Sequence, residues 1–186
     1  MELLTDNALM LKVKHGDLDK MALLFQRYHR ALYGFLYHMT GRQEQSEDMV
    51  QDVFYRMLRS KHTFTGEGEF KTWMYHLARN IIKDYYRKSK NTKSHYDADA
   101  FAEKISSGAQ ADEALLKKTE LKQLQQAINS LDEQSREVLV LSRYQELKYA
   151  EIAHILGITE GAVKVRIHRA INQLKGMYRP TETKIA

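Results

Sequence analysis

The sequence predicts an all-α protein made of two small helical bundles joined by a flexible linker. Three observations lead there. The only proline of the 186 residues is Pro180, so almost nothing upstream interrupts a helix. Apolar residues recur at three-to-four spacing rather than alternating, which is the helical period. Between Ser89 and about Gln110 the stretch SKNTKSHYDADAFAEKISSGAQ is polar, mixed in charge and poor in large apolar residues, the composition of a tether. The expected organisation is therefore a first domain over residues 1–88, a linker over 89–111, a second domain over 112–179 and a tail over 180–186.

In the first domain, Asp6 is placed to cap a short helix carrying Leu9, Met10 and Val13, with Gly16 at its end. Asp17 then opens a longer helix whose buried side holds Met21, Leu24, Phe25, Tyr28, Leu32, Phe35, Leu36 and Met39, and Gly41 stops it. Residues 43–60 form a third helix with Val50, Val53, Phe54, Met57 and Leu58 as its stripe. Its early turns gather Glu44, Glu47, Asp48 and Asp52, with Gln51 among them. These carboxylates read two ways: as partners of the positive helix end, or as an acidic docking face for a basic partner.

Residues 60–69, SKHTFTGEGE, make a polar loop that leads into FKTWMYHLARNIIKDYYRK, residues 70–88. The loop lacks the G-x-x-x-x-G-K-[ST] spacing of a phosphate loop and no strand precedes it, which excludes nucleotide binding of that kind. In the following helix, Phe70, Trp73, Met74, Leu77, Ala78 and Ile81 share one stripe. A second face carries Lys71, Tyr75, Arg79, Lys83, Tyr86 and Arg87. Cations alternating with flat rings suit a nucleic-acid backbone with unstacked bases, each stack contributing about 1–3 kcal/mol. The same pattern also fits an amphipathic core helix with a solvated basic face, and Trp73 in particular lies on the buried stripe.

After the linker, Leu121, Leu124, Ile128 and Leu131 make one stripe. Asp132 is placed to cap the next helix, with Val138, Leu139, Leu141 and Ser142 inward and Tyr144 near its end. Tyr149 to Leu156 then forms a short helix with Ile152, Ala153 and Leu156 inward. Gly157 turns the chain, and Thr159 caps a helix running to about Lys175, anchored by Val163, Ile167, Ala170, Ile171 and Leu174. Lys164, Val165, His168 and Arg169 point away from that stripe, while Gly161 and Ala162 keep its amino end narrow enough for close approach to phosphate or base edges. This is a helix-turn-helix pattern, in which one helix braces and the second enters the major groove.

Composition narrows the chemistry. A net charge of +5 is compatible with a polyanionic partner. The absence of cysteine excludes disulfides, thiolate zinc sites and cysteine nucleophiles. The eight histidines form no H-E-x-x-H, and G-x-S-x-G is absent, so no catalytic residue, metal or cofactor is expected and the protein is not expected to be an enzyme. No apolar run approaches the roughly 20 residues of a membrane span, and MELLTDNALM lacks a signal pattern. A soluble, cytoplasmic protein is expected, without membrane insertion.

Three segments in this order, SEDMVQDVF (46–54), FKTWMYHLARNIIKDYYRK (70–88) and YAEIAHILGITEGAVKVRIHRA (149–170), carry a resemblance over about residues 8–178. The chain resembles a bacterial sigma factor of the extracytoplasmic-function group, the minimal type with two promoter-binding domains. The resemblance implies that Asp48, Gln51, Asp52 and Phe54 dock on the clamp coiled coil of core RNA polymerase. It implies that the loop from Lys61 to Glu69, including Phe64, opens the minus-ten element of promoter DNA with Phe70, Trp73 and Asn80 and holds a flipped non-template base. Tyr75, Arg79, Lys83 and Arg87 would flank the opened strand. Lys164, Val165, His168 and Arg169 would face bases of the minus-thirty-five element, with Arg166 on phosphate and Thr159, Gly161 and Ala162 at the helix entry. The linker would thread toward the catalytic cleft or RNA exit path of the polymerase, and the protein would be nucleoid-associated while bound to it. An anti-sigma factor wedged between the domains is a further implied partner.

Four positions depart from the family pattern, in three places. Asp132 stands where proline often follows the leucine, Lys148 stands where serine or threonine usually caps the bracing helix, and Ala162 and Val165 replace hydroxyl residues of the reading helix. Ala162 lacks a hydroxyl contact to phosphate, whereas Val165 suits a thymine methyl. A stand-alone helix-turn-helix transcription regulator is the alternative reading; it would bind its duplex without polymerase.

Overall fold

The computed structural model describes residues 4–90 and 111–177. Helices α1 (Asp6–Lys14), α2 (Lys20–Thr40), α3 (Gln43–Arg59) and α4 (Phe70–Lys90) make one bundle. A single 3₁₀ turn (Lys61–Thr63) leads from α3 into the loop before α4. Helices α5 (Ala111–Ser130), α6 (Glu133–Arg143), α7 (Tyr149–Leu156) and α8 (Glu160–Met177) make the other. No strand occurs among the described residues. Most of the polar stretch expected as linker, 91–110, and the tail lie outside them.

The periodicity places the cores correctly. Leu9, Met10 and Val13 of α1, Leu24, Leu32, Phe35, Leu36 and Met39 of α2, and Val53 and Met57 of α3 are sealed from solvent. Phe70, Met74, Ala78 and Ile82 of α4 close that bundle. Burying side chains of this size stabilises by about 1.5–3 kcal/mol each.

Several local expectations differ. Thr5, not Asp6, caps α1: its hydroxyl accepts from the Ala8 amide at 3.2 Å. Asp6 is one residue inside, where its carboxylate holds Arg27 at 2.5 Å and the Tyr28 hydroxyl. Residues 17–19 form a turn rather than helix, and Asp17 pairs with Lys20 at 3.5 Å instead of capping. Phe25 is 42% exposed because it lies at the flank of α2, stacked on His29 and tilted against Phe54. Leu121 is exposed as well: among the described side chains of α5, burial is confined to Ala127 and Ile128 near its carboxyl end.

The two bundles pack directly on each other, α4 against α7 and α2 against α5 and α6. One apolar core runs through both, from Leu9 to Ile167. In α6 every residue from Ser135 to Leu141 is buried, because α6 is covered by α8 on one side and α2 on the other. Arg136 joins the two bundles. Its guanidinium donates to the carbonyl oxygens of Met39 (2.9 Å), at the end of α2, and of Leu131 (2.9 Å) and Asn129, at the end of α5. Those are the carbonyl groups that a helix terminus leaves without intrahelical partners.

Candidate polymerase and nucleic-acid interface

On α3, Asp48, Gln51 and Asp52 are exposed, and both carboxylates stand outside every ion pair formed among the described residues. Phe54 faces the other way, buried with its ring 4.9 Å from that of Phe25. The helix thus presents an acidic, amide-bearing strip whose charge is not consumed internally.

The loop after α3 is built on aromatic contacts. Phe64 is buried, 5.2 Å from the Trp73 ring and 6.2 Å from Phe70. The half-buried Trp73 donates its indole N–H to the Thr63 hydroxyl at 3.3 Å. Phe64 and Phe70 therefore form the floor of the loop rather than its open face, while Lys61 and Asn80 are half-buried. Contacts from α1 complete the arrangement. Lys14 Nζ donates to the Phe64 carbonyl at 2.6 Å, and the Asn7 amide donates to the carbonyls of Gly66 (3.3 Å) and Gly68 (2.7 Å). The Phe70 amide, at the start of α4, donates to Asn7 Oδ1 at 2.8 Å.

Along α4, Lys83 and Arg87 are exposed, and Arg87 pairs with Asp84 at 3.1 Å. Tyr75 does not lie on the exposed basic face that the period assigned to it. It is 2% exposed, edge-on to Phe35 at 5.3 Å, with its hydroxyl donating to Gln145 Oε1 at 2.5 Å. Tyr86 likewise turns inward and donates to the Met39 carbonyl. Arg79 is engaged across the seam between bundles, its Nε 2.8 Å from Glu137. These side chains are covered because α4 is packed on two sides, by its own bundle and by the second. Burial pushes the Glu137 carboxyl above its usual range despite the facing guanidinium of Arg79. Partial desolvation lowers the exposed His76, helped by the charges of Arg79, Lys83 and His154, and burial lowers His38, which bonds Gln125 at 2.6 Å. The seam leaves a cleft of about 350 Å³, lined among others by Tyr28, Lys71, Tyr75 and Tyr144.

The second bundle displays its reading helix openly. Gly157 takes φ +67°, a left-handed conformation that a side chain disfavours, and so reverses the chain between α7 and α8. Thr159 caps α8, accepting from the Ala162 amide at 3.2 Å. Lys148 supplies no side-chain cap to α7, as expected. Glu151 compensates by accepting the Lys148 amide at 2.7 Å, which leaves the helix start defined. Val163, Ile167 and Ala170 are buried beneath α8. Gly161, Lys164, Val165, His168 and Arg169 are exposed, and Ala162 and Arg166 half-buried. A cationic row with one apolar side chain is thereby held away from the core on a capped helix.

Among the described residues no group of three or more candidate ligands could hold a metal ion, and no helix is long and apolar enough to cross a membrane. Residues missed from the sequence are Asn7, Lys14, Arg136, Glu137 and Gln145. No local signal marks them, since apart from the bonds of Arg136 within its own bundle their partners lie 50 to 97 positions away.

Two halves with these surfaces, an acidic docking strip with an aromatic loop and a helix-turn-helix with an open cationic row, define a transcription initiation factor. Residues 24–92 match the family described as Sigma-70 region 2, and residues 121–174 match Sigma-70, region 4. The chain is 31% identical to the ECF RNA polymerase sigma factor SigW of Bacillus subtilis, over 90% of this chain and 94% of that one. It therefore belongs to the ECF sigma factors. The fold is similar to that of CnrH, solved in complex with the cytosolic domain of CnrY (TM-score 0.72, 24% identity, 92% of this chain and 95% of that one). It is also similar to the sigma factor RpoE of Bartonella quintana, solved with the anti-sigma factor NepR (TM-score 0.68, 21% identity, 84% and 94%).

Proposed function

We propose that this protein binds core RNA polymerase, directs it to particular promoters and melts the DNA there by capturing a base. It supplies binding energy and geometry, while the polymerase performs the chemistry. Residues 1–88 and 112–179 serve as the two promoter-binding domains, with 89–111 as the linker between them. The strip of Asp48, Gln51 and Asp52 docks on a basic partner surface of the polymerase, with Phe54 bracing it from beneath. Lys164, Val165, His168 and Arg169 read base edges of the upstream element in the major groove. Arg166 contacts phosphate, and Thr159, Gly161 and Ala162 shape the entry of the helix.

The loop 61–69 with Phe64, Phe70, Trp73 and Asn80 receives an extruded base of the downstream element. Extrusion costs a few kcal/mol, and a pocket that contacts the base edge turns that cost into sequence reading. Lys83 and Arg87 lie ready along the strand. Tyr75 and Arg79, held by Gln145 and Glu137 in the closed chain, reach the strand only when the bundles part. An anti-sigma factor that wraps around the closed pair preserves these contacts, whereas one that wedges between the bundles must break them. The working location is the cytoplasm, at the nucleoid while bound to polymerase.

The single observation that carries this reading is the exposed row on α8, anchored by a buried row and a Thr159 cap. Transcription in vitro tests it: core polymerase with this protein should initiate at promoters of its own genome and core alone should not. Absence of any promoter-dependent transcript, together with tight duplex binding by the protein alone, would overturn the proposal in favour of a free-standing regulator.

A further inference from the structure

The contact between α1 and the loop before α4 joins residues 50 to 63 positions apart, and one side chain carries most of it. The Asn7 amide nitrogen donates to the carbonyls of Gly66 and Gly68, and its oxygen accepts the first amide of α4. Both hydrogens and the oxygen of the amide are thereby used, and the reverse orientation would set N–H against N–H and oxygen against two oxygens. Beneath the loop, Leu11 fills the space beside Gly66, whose φ is +83°; a Cβ there would meet its methyl groups at 3.3 Å. The anchor itself is firm, because Leu9, Met10 and Val13 are fully buried and Asp6 holds Arg27 and Tyr28 of α2.

We propose that Asn7 is a positioning residue for base capture: through its bonds to Gly66, Gly68 and Phe70 it fixes the open loop before DNA arrives. This rests on the reading of loop 61–69 as the base-holding segment. Ordering a loop at the moment of binding costs affinity, and a loop ordered beforehand avoids that cost. The loop's aromatic floor holds Phe64, whereas among the described residues Asn7 is the side chain that bonds the Gly66 and Gly68 carbonyls, so Asn7 governs the part that faces an incoming nucleotide. The first helix thus acts on recognition without touching the DNA.

The test uses the full chain with core polymerase on forked promoter DNA whose non-template strand is exposed. Abasic substitutions are walked along that strand, and the ratio of Kd between abasic and intact DNA is read at each position. The wild type should show one position with a high ratio. Asn7→Ala should lower that ratio about tenfold, the weight of two modest hydrogen bonds, with binding to the upstream duplex element unchanged. Asn7→Asp retains the acceptor for the Phe70 amide but cannot donate to the glycine carbonyls, so it should lose discrimination similarly while α4 starts normally. An undiminished ratio in both variants, or a loss shared equally by all DNAs, would overturn the role of Asn7 and leave the base-capture reading standing. A wild type with no abasic-sensitive position would overturn the base-capture reading and this proposal with it.

Discussion

The seam between the bundles offers a perturbation whose size follows from its contacts. Changing Tyr75→Phe and Glu137→Ala together removes two polar bonds across it while leaving the Tyr75 ring packed on Phe35. The hydroxyl bond to Gln145 is worth about 1 kcal/mol net. The pair of Arg79 and Glu137, 2.8 Å apart, would gain more from attraction alone, but the raised pKa of Glu137 shows that burial outweighs that gain for the ionised form. Deleting Glu137 instead leaves the largely buried Arg79 guanidinium without its acceptor, and that unmade bond costs about 1 kcal/mol. Together the changes shift the balance toward separated bundles by about 2 kcal/mol, near 30-fold. Because the chain has no cysteine, dyes can be placed at Leu23→Cys and Gln173→Cys alone. Energy transfer between them against urea should lose its closed-state signal at a lower concentration in the variant, with helix content by circular dichroism still intact there. An unchanged midpoint would refute the assignment of these contacts as the fastening. The same reasoning fixes a sign with pH. A carboxyl whose pKa is raised in the closed form favours closure below the ordinary value near 4.3 and loses that contribution as pH rises through the raised one. Glu137→Gln should flatten this dependence.

Trp73→Ala should impair strand opening, read as weakened permanganate reactivity of melted thymines; normal reactivity would rule out its part in melting, and a melting temperature reports the packing lost beside Phe64 and Phe70. Arg169→Ala should weaken the upstream element by about 1–3 kcal/mol if its contact is bidentate to a base, and an equal loss on every sequence would place Arg169 on phosphate. Asp132→Ala should cost about 1 kcal/mol of stability in a melt at neutral pH, since its carboxylate caps α6 at the Ser135 amide. The Ser135 hydroxyl and amide hold the Asp132 pKa below its usual range. Its contribution is therefore present above the ordinary value near 3.9 and vanishes as pH falls through the lowered one, so the two proteins should converge in acid.

Periodicity served where a helix keeps a solvated face opposite its buried stripe. The stripes of α2, α3 and α8 and the caps at Asp132 and Thr159 follow from spacing and local bonds, and the reading row on α8 was legible for the same reason. It failed where a helix is covered on several sides. In α6 the polar Ser135, Arg136 and Glu137 are buried with the apolar residues, which no single stripe could announce. Tyr75 was assigned to the basic face because a lone amphipathic α4 would expose it, yet Phe35 and the second bundle cover that face at Tyr75 and Arg79. Asp6 looked like a cap and is an ion-pair partner, since Thr5 takes the capping position and leaves the carboxylate free for Arg27. The misses in α4 and α6 arise from tertiary contacts with partners far along the chain, whereas Thr5 and Asp17 act through bonds three residues away.

Arg136 deserves a practical reading by geneticists. Its guanidinium ties the last turn of α2 to the end of α5, so alleles at codon 136 loosen both the closed pair of bundles and the α5–α6 corner and should surface in a screen for altered promoter firing. Such alleles would look like defects in contacting the polymerase or the promoter, although the side chain is buried inside the fold. The diagnostic is suppression: a second-site change that re-staples the two ends should return expression to its original level without altering which genes respond.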